Sequence, residues 1–117
     1  MSISVIILNW NGSAMLRKYL PSVVACTPDA EIIVADNGST DDSLTLLAEQ
    51  FPTVRVIILD RNYGFARGNN KGIAAACQDN PDSYLLLNND TEVRPDFLTR
   101  LNIFSTKHPE YRILTPK

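Results

Sequence analysis

The chain has 117 residues, with 11 Lys and Arg against 13 Asp and Glu, a formal net charge of −2, 44% hydrophobic and 21% charged residues. That composition allows one domain with a sizeable core. It excludes a disordered chain, a helix of about 20 apolar residues that would cross a bilayer, and a protein organised around a basic nucleic-acid-binding face.

Taken in chain order, short apolar runs alternate with segments of helical period. Ile3 to Leu8 is β-branched and nearly continuous, as in a strand covered on both faces, and no signal-peptide pattern precedes it. After Gly12, with Ser13 as the expected N-cap, Leu16, Tyr19, Leu20, Val23 and Val24 share a helical face. Pro21 is expected to kink or split that helix near Leu20. Cys26 and Cys77, with a single histidine in the chain, lack zinc-ligand spacing and read as reduced, packed thiols. Glu31 to Ala35 reads as the second strand. Asn37-Gly38 is a turn, Ser39 or Thr40 the expected cap, and Asp41 and Asp42 fall in the first turn of a helix whose inward face is Leu44, Leu47, Ala48 and Phe51.

Pro52 ends that helix and Val54 to Leu59 forms strand three. The Gly- and Asn-rich stretch from Asn62 to Gly68 leads into a helix running through Cys77, with Ala66, Ile73, Ala74 and Cys77 inward. Ser83 to Leu87 is strand four. Pro95 suits a first helical turn, before a stripe of Phe97, Leu98, Leu101 and Phe104. Tyr111 to Leu114 is expected as a fifth strand. Strands alternating with helices of this length imply βαβ units: one α/β domain, three layers, with a mainly parallel sheet.

Ligands of open α/β sheets bind beyond the carboxyl ends of the strands. The four loops there are Asn9-Trp10-Asn11-Gly12, Asp36 to Asp41, Asp60 to Gly64 and Asn88-Asn89-Asp90. Any one of them reads equally well as ordinary turn chemistry. Together, with the lone tryptophan at the first strand end, they point to a binding site. Trp10 is placed to stack on a base, and Asp36 and Asn37 to face a pyrimidine edge. Gly64 to Asn70 puts glycines and amides at a helix start suited to phosphate. The glycine spacing is that of neither a dinucleotide fingerprint nor a P-loop. Asp90 reads either as a turn residue or as an oxygen ligand for Mg2+ or Mn2+.

In this order the loops resemble the nucleotide-sugar half of the family 2 glycosyltransferases, which have the GT-A fold. Ser4 to Asn11 is similar to S-V-I-I-P-T-Y-N, and Ile33 to Asp41 to I-V-V-D-D-G-S-T-D. Asn62 to Gly72 resembles N-x-G-x-x-x-x-x-N-x-G, and Leu87 to Pro95 the D-x-D strand end and its proline. The resemblance implies inverting transfer of a sugar from a UDP- or dTDP-sugar to a saccharide or lipid-linked acceptor, assisted by Mg2+ or Mn2+. It places Asn9 and Trp10 at the base and Asp36 and Asn37 at the pyrimidine reader. Asn69 and Asn70 fall near the donor, Asn89 by the ribose and diphosphate, and Asp90 at the metal.

Asn37 and Asn88 stand where the family carries Asp, which implies weak metal affinity without donor. The Asn-Trp-Asn and Asn-Asn-Asp variants resemble the rhamnosyl- and galactofuranosyltransferase subgroup. The family's catalytic base lies beyond the D-x-D strand, so no catalytic residue is assigned, and residues 1–117 are expected to bind donor only, with the acceptor half absent. The expected setting is polysaccharide or cell-wall synthesis, in the cytoplasm or peripherally at the inner membrane face. Three other readings stand beside it: a nucleotide-binding module that needs a partner chain, a nucleotidyltransferase, and an α/β domain of purely structural role, against which the four loops argue together. The second is disfavoured because the first loop lacks the glycine-rich, Arg-containing pattern.

Overall fold

The computed structural model describes residues 2–116. Strands β1 (Ile3–Asn9), β2 (Glu31–Asp36), β3 (Arg55–Ile58) and β4 (Ser83–Asn88) form one sheet in the order β3-β2-β1-β4, and every neighbouring pair is parallel. Helices α1 (Ser13–Cys26), α2 (Ser43–Gln50), α3 (Phe65–Ala76) and α4 (Phe97–Lys107) supply the connections and the outer layers.

Strand alternation sends side chains to two faces, and the helices divide accordingly. Ile3, Val5 and Ile7 of β1 and Ile32 and Val34 of β2 pack with Leu16, Leu20 and Val23 of α1 and Leu46 and Leu47 of α2. Leu98 of α4 joins the same cluster. Ile6 and Ile33 point to the other face, where Ile73 and Ala76 of α3 cover them. The α/β expectation therefore holds, with helices on both sides of a parallel sheet. Each fully buried Leu, Ile or Val contributes about 1.5–3 kcal/mol relative to exposure, so these two small clusters dominate the fold energetics.

Several local expectations change. α1 is not split: Pro21 lies inside it on the exposed side, where water can replace the backbone bond that proline forfeits. α1 starts after Gly12, and the Ser13 backbone N–H donates instead to the Asp41 carboxylate at 3.1 Å. α2 starts at Ser43, so Asp41 and Asp42 precede it, and Ser39 and Thr40 serve the turn. Its inward face contains Leu46 while Ala48 is exposed.

The inward face of α3 is Gly68, Asn69, Gly72 and Ala76, with Ile73 partly buried, whereas Ala66, Ala74 and Cys77 are exposed. The glycines allow close approach: a Cβ on Gly72 would sit 2.7 Å from Ile6 Cγ2, and one on Gly68 2.7 Å from Leu8 Cδ1. Pro95 lies just ahead of α4, and Phe104 of the expected stripe is exposed. Tyr111 to Leu114 is not a strand. The Tyr111 N–H closes the turn after α4 on the His108 carbonyl, its ring stacks 6.3 Å from that of Phe104, and Ile113 is almost fully exposed.

Candidate functional site

All four strands are parallel, so their carboxyl ends meet at one edge of the molecule. Register decides which way each terminal side chain points. Asn9 pairs with Asp36, and Leu8 with Asn88, which brings Asn9 between Asp36 on one side and Asn89 on the other. The Asn9 Nδ2 donates to Asp36 Oδ1 at 3.1 Å and to Ser39 Oγ at 3.4 Å. Asn9 Oδ1 accepts from Asn89 Nδ2 at 3.0 Å. Ser39 closes the turn after β2 on Asp36, donating its hydroxyl to Oδ1 at 2.7 Å and its N–H to Oδ2 at 3.0 Å. Asn9 and Asp36 are completely buried. A buried carboxylate is tolerable because these donors replace its water shell.

Asn37 points to the opposite sheet face and is equally committed. Its Oδ1 accepts from the Tyr63 N–H at 2.9 Å, and its Nδ2 donates to Asn62 Oδ1 at 3.1 Å and the Gly64 carbonyl at 3.2 Å. The Asp36 and Asn37 side chains, expected from sequence to face a pyrimidine edge, are thus buried and hydrogen-bonded within the protein. The cause is structural: the turn after β2 and the loop after β3 close upon them.

The open space lies on the α3 side of the sheet. Leu8, Trp10, Phe65, Asn69, Leu86, Leu87, Asn88, Asn89 and Asp90 line a cleft of about 450 Å³. The structure therefore brings Trp10, Asn69, Asn89 and Asp90 together. Asn9, Asp36 and Asn37 are buried and not among the cleft-lining residues, and Asn70 is on an exposed part of α3 outside the lining. Trp10 is about half exposed (54%), unlike a core tryptophan. Asn69 is nearly buried, its Nδ2 donating to the Phe65 carbonyl at 3.0 Å, one turn back in α3.

Sequence reasoning missed Asn11 and Ser39. Asn11 adopts a left-handed backbone (φ 47°), and its Oδ1 accepts from the Thr40 N–H at 2.7 Å and the Asp41 N–H at 3.2 Å. Its own N–H donates to Ser39 Oγ at 2.9 Å. Asn is one of the few residues that take this conformation readily, so the signal was present in its type. Gly12 is required by contact: a Cβ there would sit 2.3 Å from Asn89 Nδ2 and 2.4 Å from Asn9 Oδ1.

Among the described residues no three His, Cys, Asp or Glu side chains converge as a preformed metal cage. Asp90 is an exposed carboxylate that lines the cleft together with Asn88 and Asn89. That donor set fits a hard cation held by one carboxylate and completed by phosphate oxygens and water.

Residues 4–110 match the family described as Glycosyl transferase family 2. The chain is 44% identical over 80 residues to an uncharacterized glycosyltransferase of Nostoc sp., covering 65% of this chain and 25% of that protein. It is 32% identical over 101 residues to the succinoglycan biosynthesis protein ExoO of Rhizobium meliloti, covering 85% of this chain and 28% of that one. Among solved structures, S. aureus TarS in complex with UDP-GlcNAc superposes with a TM-score of 0.75 at 21% identity, covering 93% of this chain and 32% of that chain. The mannosyltransferase PcManGT of Pyrobaculum calidifontis, in complex with GDP-Man and Mn2+, gives 0.73 at 18%, covering 88% and 32%. At that identity these likenesses establish the fold, which is of the GT-A type. The chain spans between a quarter and a third of the length of these relatives. With a family match running nearly from end to end and a GT-A fold beneath it, the chain belongs to glycosyl transferase family 2.

Proposed function

We propose that this chain forms the donor-binding part of a glycosyltransferase that takes a nucleotide-diphosphate sugar, and that acceptor activation belongs to residues outside these 117. The observation that carries this reading is the cleft at the strand ends. There a half-exposed indole, an amide-rich wall and one free carboxylate stand together. Trp10 offers a stacking plate for the base. Asn69 and Asn89 offer amides toward the ribose and diphosphate. Asp90 holds Mg2+ or Mn2+ when the diphosphate brings it, and that cation supplies countercharge to the leaving diphosphate. Asp36 and Asn37 serve the base indirectly, by fixing the two loops that flank it.

The donor we propose is dTDP-rhamnose or a UDP-sugar. Its support is the Asn-Trp-Asn, Asp-Asn-Gly-Ser and Asn-Asn-Asp variants of the family motifs. The acceptor is a saccharide or lipid-linked saccharide, the reaction inverts the anomeric centre, and the location is cytoplasmic or at the inner membrane face.

Calorimetric titration with UDP, dTDP and GDP, each with and without Mn2+, tests the reading. The pyrimidine diphosphates should bind, more tightly with Mn2+, and in preference to GDP. Asp90→Ala should remove the gain from Mn2+ and leave metal-free affinity nearly unchanged. Failure of all three nucleotides to bind would overturn the proposal, and an unaltered Mn2+ gain in Asp90→Ala would remove Asp90 as the ligand.

A further inference from the structure

We infer that Asn9 is a positioning residue for the Asp90 arm and does not itself touch the nucleotide; this rests on the donor-site reading above. Three strand ends meet at its carboxamide. Register sets Asn9 between Asp36 and Asn89 on the α1 side of the sheet, while the cleft opens on the α3 side. The amide orientation is dictated by its partners. The Asp36 carboxylate only accepts, so the Asn9 NH2 faces it at 3.1 Å; the carbonyl then faces the Asn89 NH2 at 3.0 Å.

A carboxamide meets both demands at once, donating to one side and accepting from the other. Asp would set a second carboxylate against Asp36, and an apolar side chain would cost Asp36 one of its donors and leave the Asn89 NH2 without its acceptor. Gly12 seals the arrangement, since any Cβ there would strike the Asn9 carbonyl and the Asn89 amide together.

Asn89 is the residue before Asp90, and β4 ends at Asn88. The hydrogen bond to Asn9 is therefore the link between the exposed Asp90 carboxylate and the buried Asp36–Ser39 network. A ligand arm anchored to a buried, fully occupied network keeps its direction when the cation is absent. Outer partners of this kind govern metal affinity even though they make no bond to the metal.

The test is a double-mutant cycle on the intact chain, with UDP affinity measured over a range of Mn2+ concentrations and folding checked by thermal melting. Asn89→Ala should raise the Mn2+ concentration for half-maximal effect by about tenfold, beyond whatever it costs in metal-free UDP affinity. Asn9→Ala should produce the same Mn2+ shift, and adding it to Asn89→Ala should move the Mn2+ half-point little further, because both remove one link. If Asn9→Ala fails to fold, the Asn89→Ala half-point decides alone. The inference fails if that half-point is unmoved, if the two substitutions add independently, or if Asn9→Ala alters preference among UDP, dTDP and GDP. A wild-type chain that binds no nucleotide would overturn the donor-site reading and this inference with it. Wild-type binding with an unmoved half-point in Asn89→Ala would overturn this inference alone.

Discussion

Asn9 is the last residue of β1 and Trp10 follows it directly, yet the two side chains go to different places. Trp10 turns to the cleft and stays about half exposed; Asn9 turns to the α1 side and is fully buried. Stacking of a base on Trp10 is worth about 1–3 kcal/mol. Trp10→Ala should therefore weaken UDP binding by about tenfold, read by calorimetry, while its melting temperature stays close to wild type. That polar and aromatic side chains cluster at the strand ends was legible in the sequence. The directions of Asp36 and Asn37 were not. They depend on register with β1 and on the closure of the loop after β3 over Asn37, both of which are tertiary facts.

Among the elements, α3 shows most clearly what an apolar pattern cannot reveal. Its buried face is built on Gly68 and Gly72, which add no hydrophobic signal, so the sequence pattern selected the exposed Ala66 and Ala74 instead. Gly72→Ala should gain helix propensity of about 1 kcal/mol. It should nonetheless lose more, about 1–3 kcal/mol by overpacking, because the added methyl meets Ile6 in the closed core. Denaturant unfolding would show a net loss of stability; a net gain would contradict the close helix–sheet contact.

The α1–α2 contact carries a pH dependence. Arg17 hydrogen-bonds to the Asp42 carboxylate and holds its pKa below the ordinary range. A carboxylate depressed in the folded state adds stability above its unfolded pKa of about 3.9 and loses it as pH falls through the folded value. Thermal melts should show Asp42→Asn losing less stability than wild type on acidification below about pH 4. The pair is exposed, so the difference is small.

At the scale of the whole molecule, the alternation of strands and helices made the parallel α/β sheet legible, but not its order. β1 pairs with β4 across some eighty residues, with no local signal, and that pairing brings Asp90 beside Trp10. The expected fifth strand failed for a related reason: the β propensity of Tyr111 to Leu114 found no ladder, and Tyr111 stacks on α4 instead. On the reading proposed above, the strand-end cleft binds a nucleoside diphosphate together with a divalent cation. Trp10, the single tryptophan of the chain, is a built-in reporter of that cleft. Titrating the protein with UDP while following tryptophan fluorescence should give a saturable change whose midpoint moves to lower UDP concentration when Mn2+ is added. A fluorescence signal that UDP leaves unchanged, with and without Mn2+, would rule out nucleotide binding in that cleft.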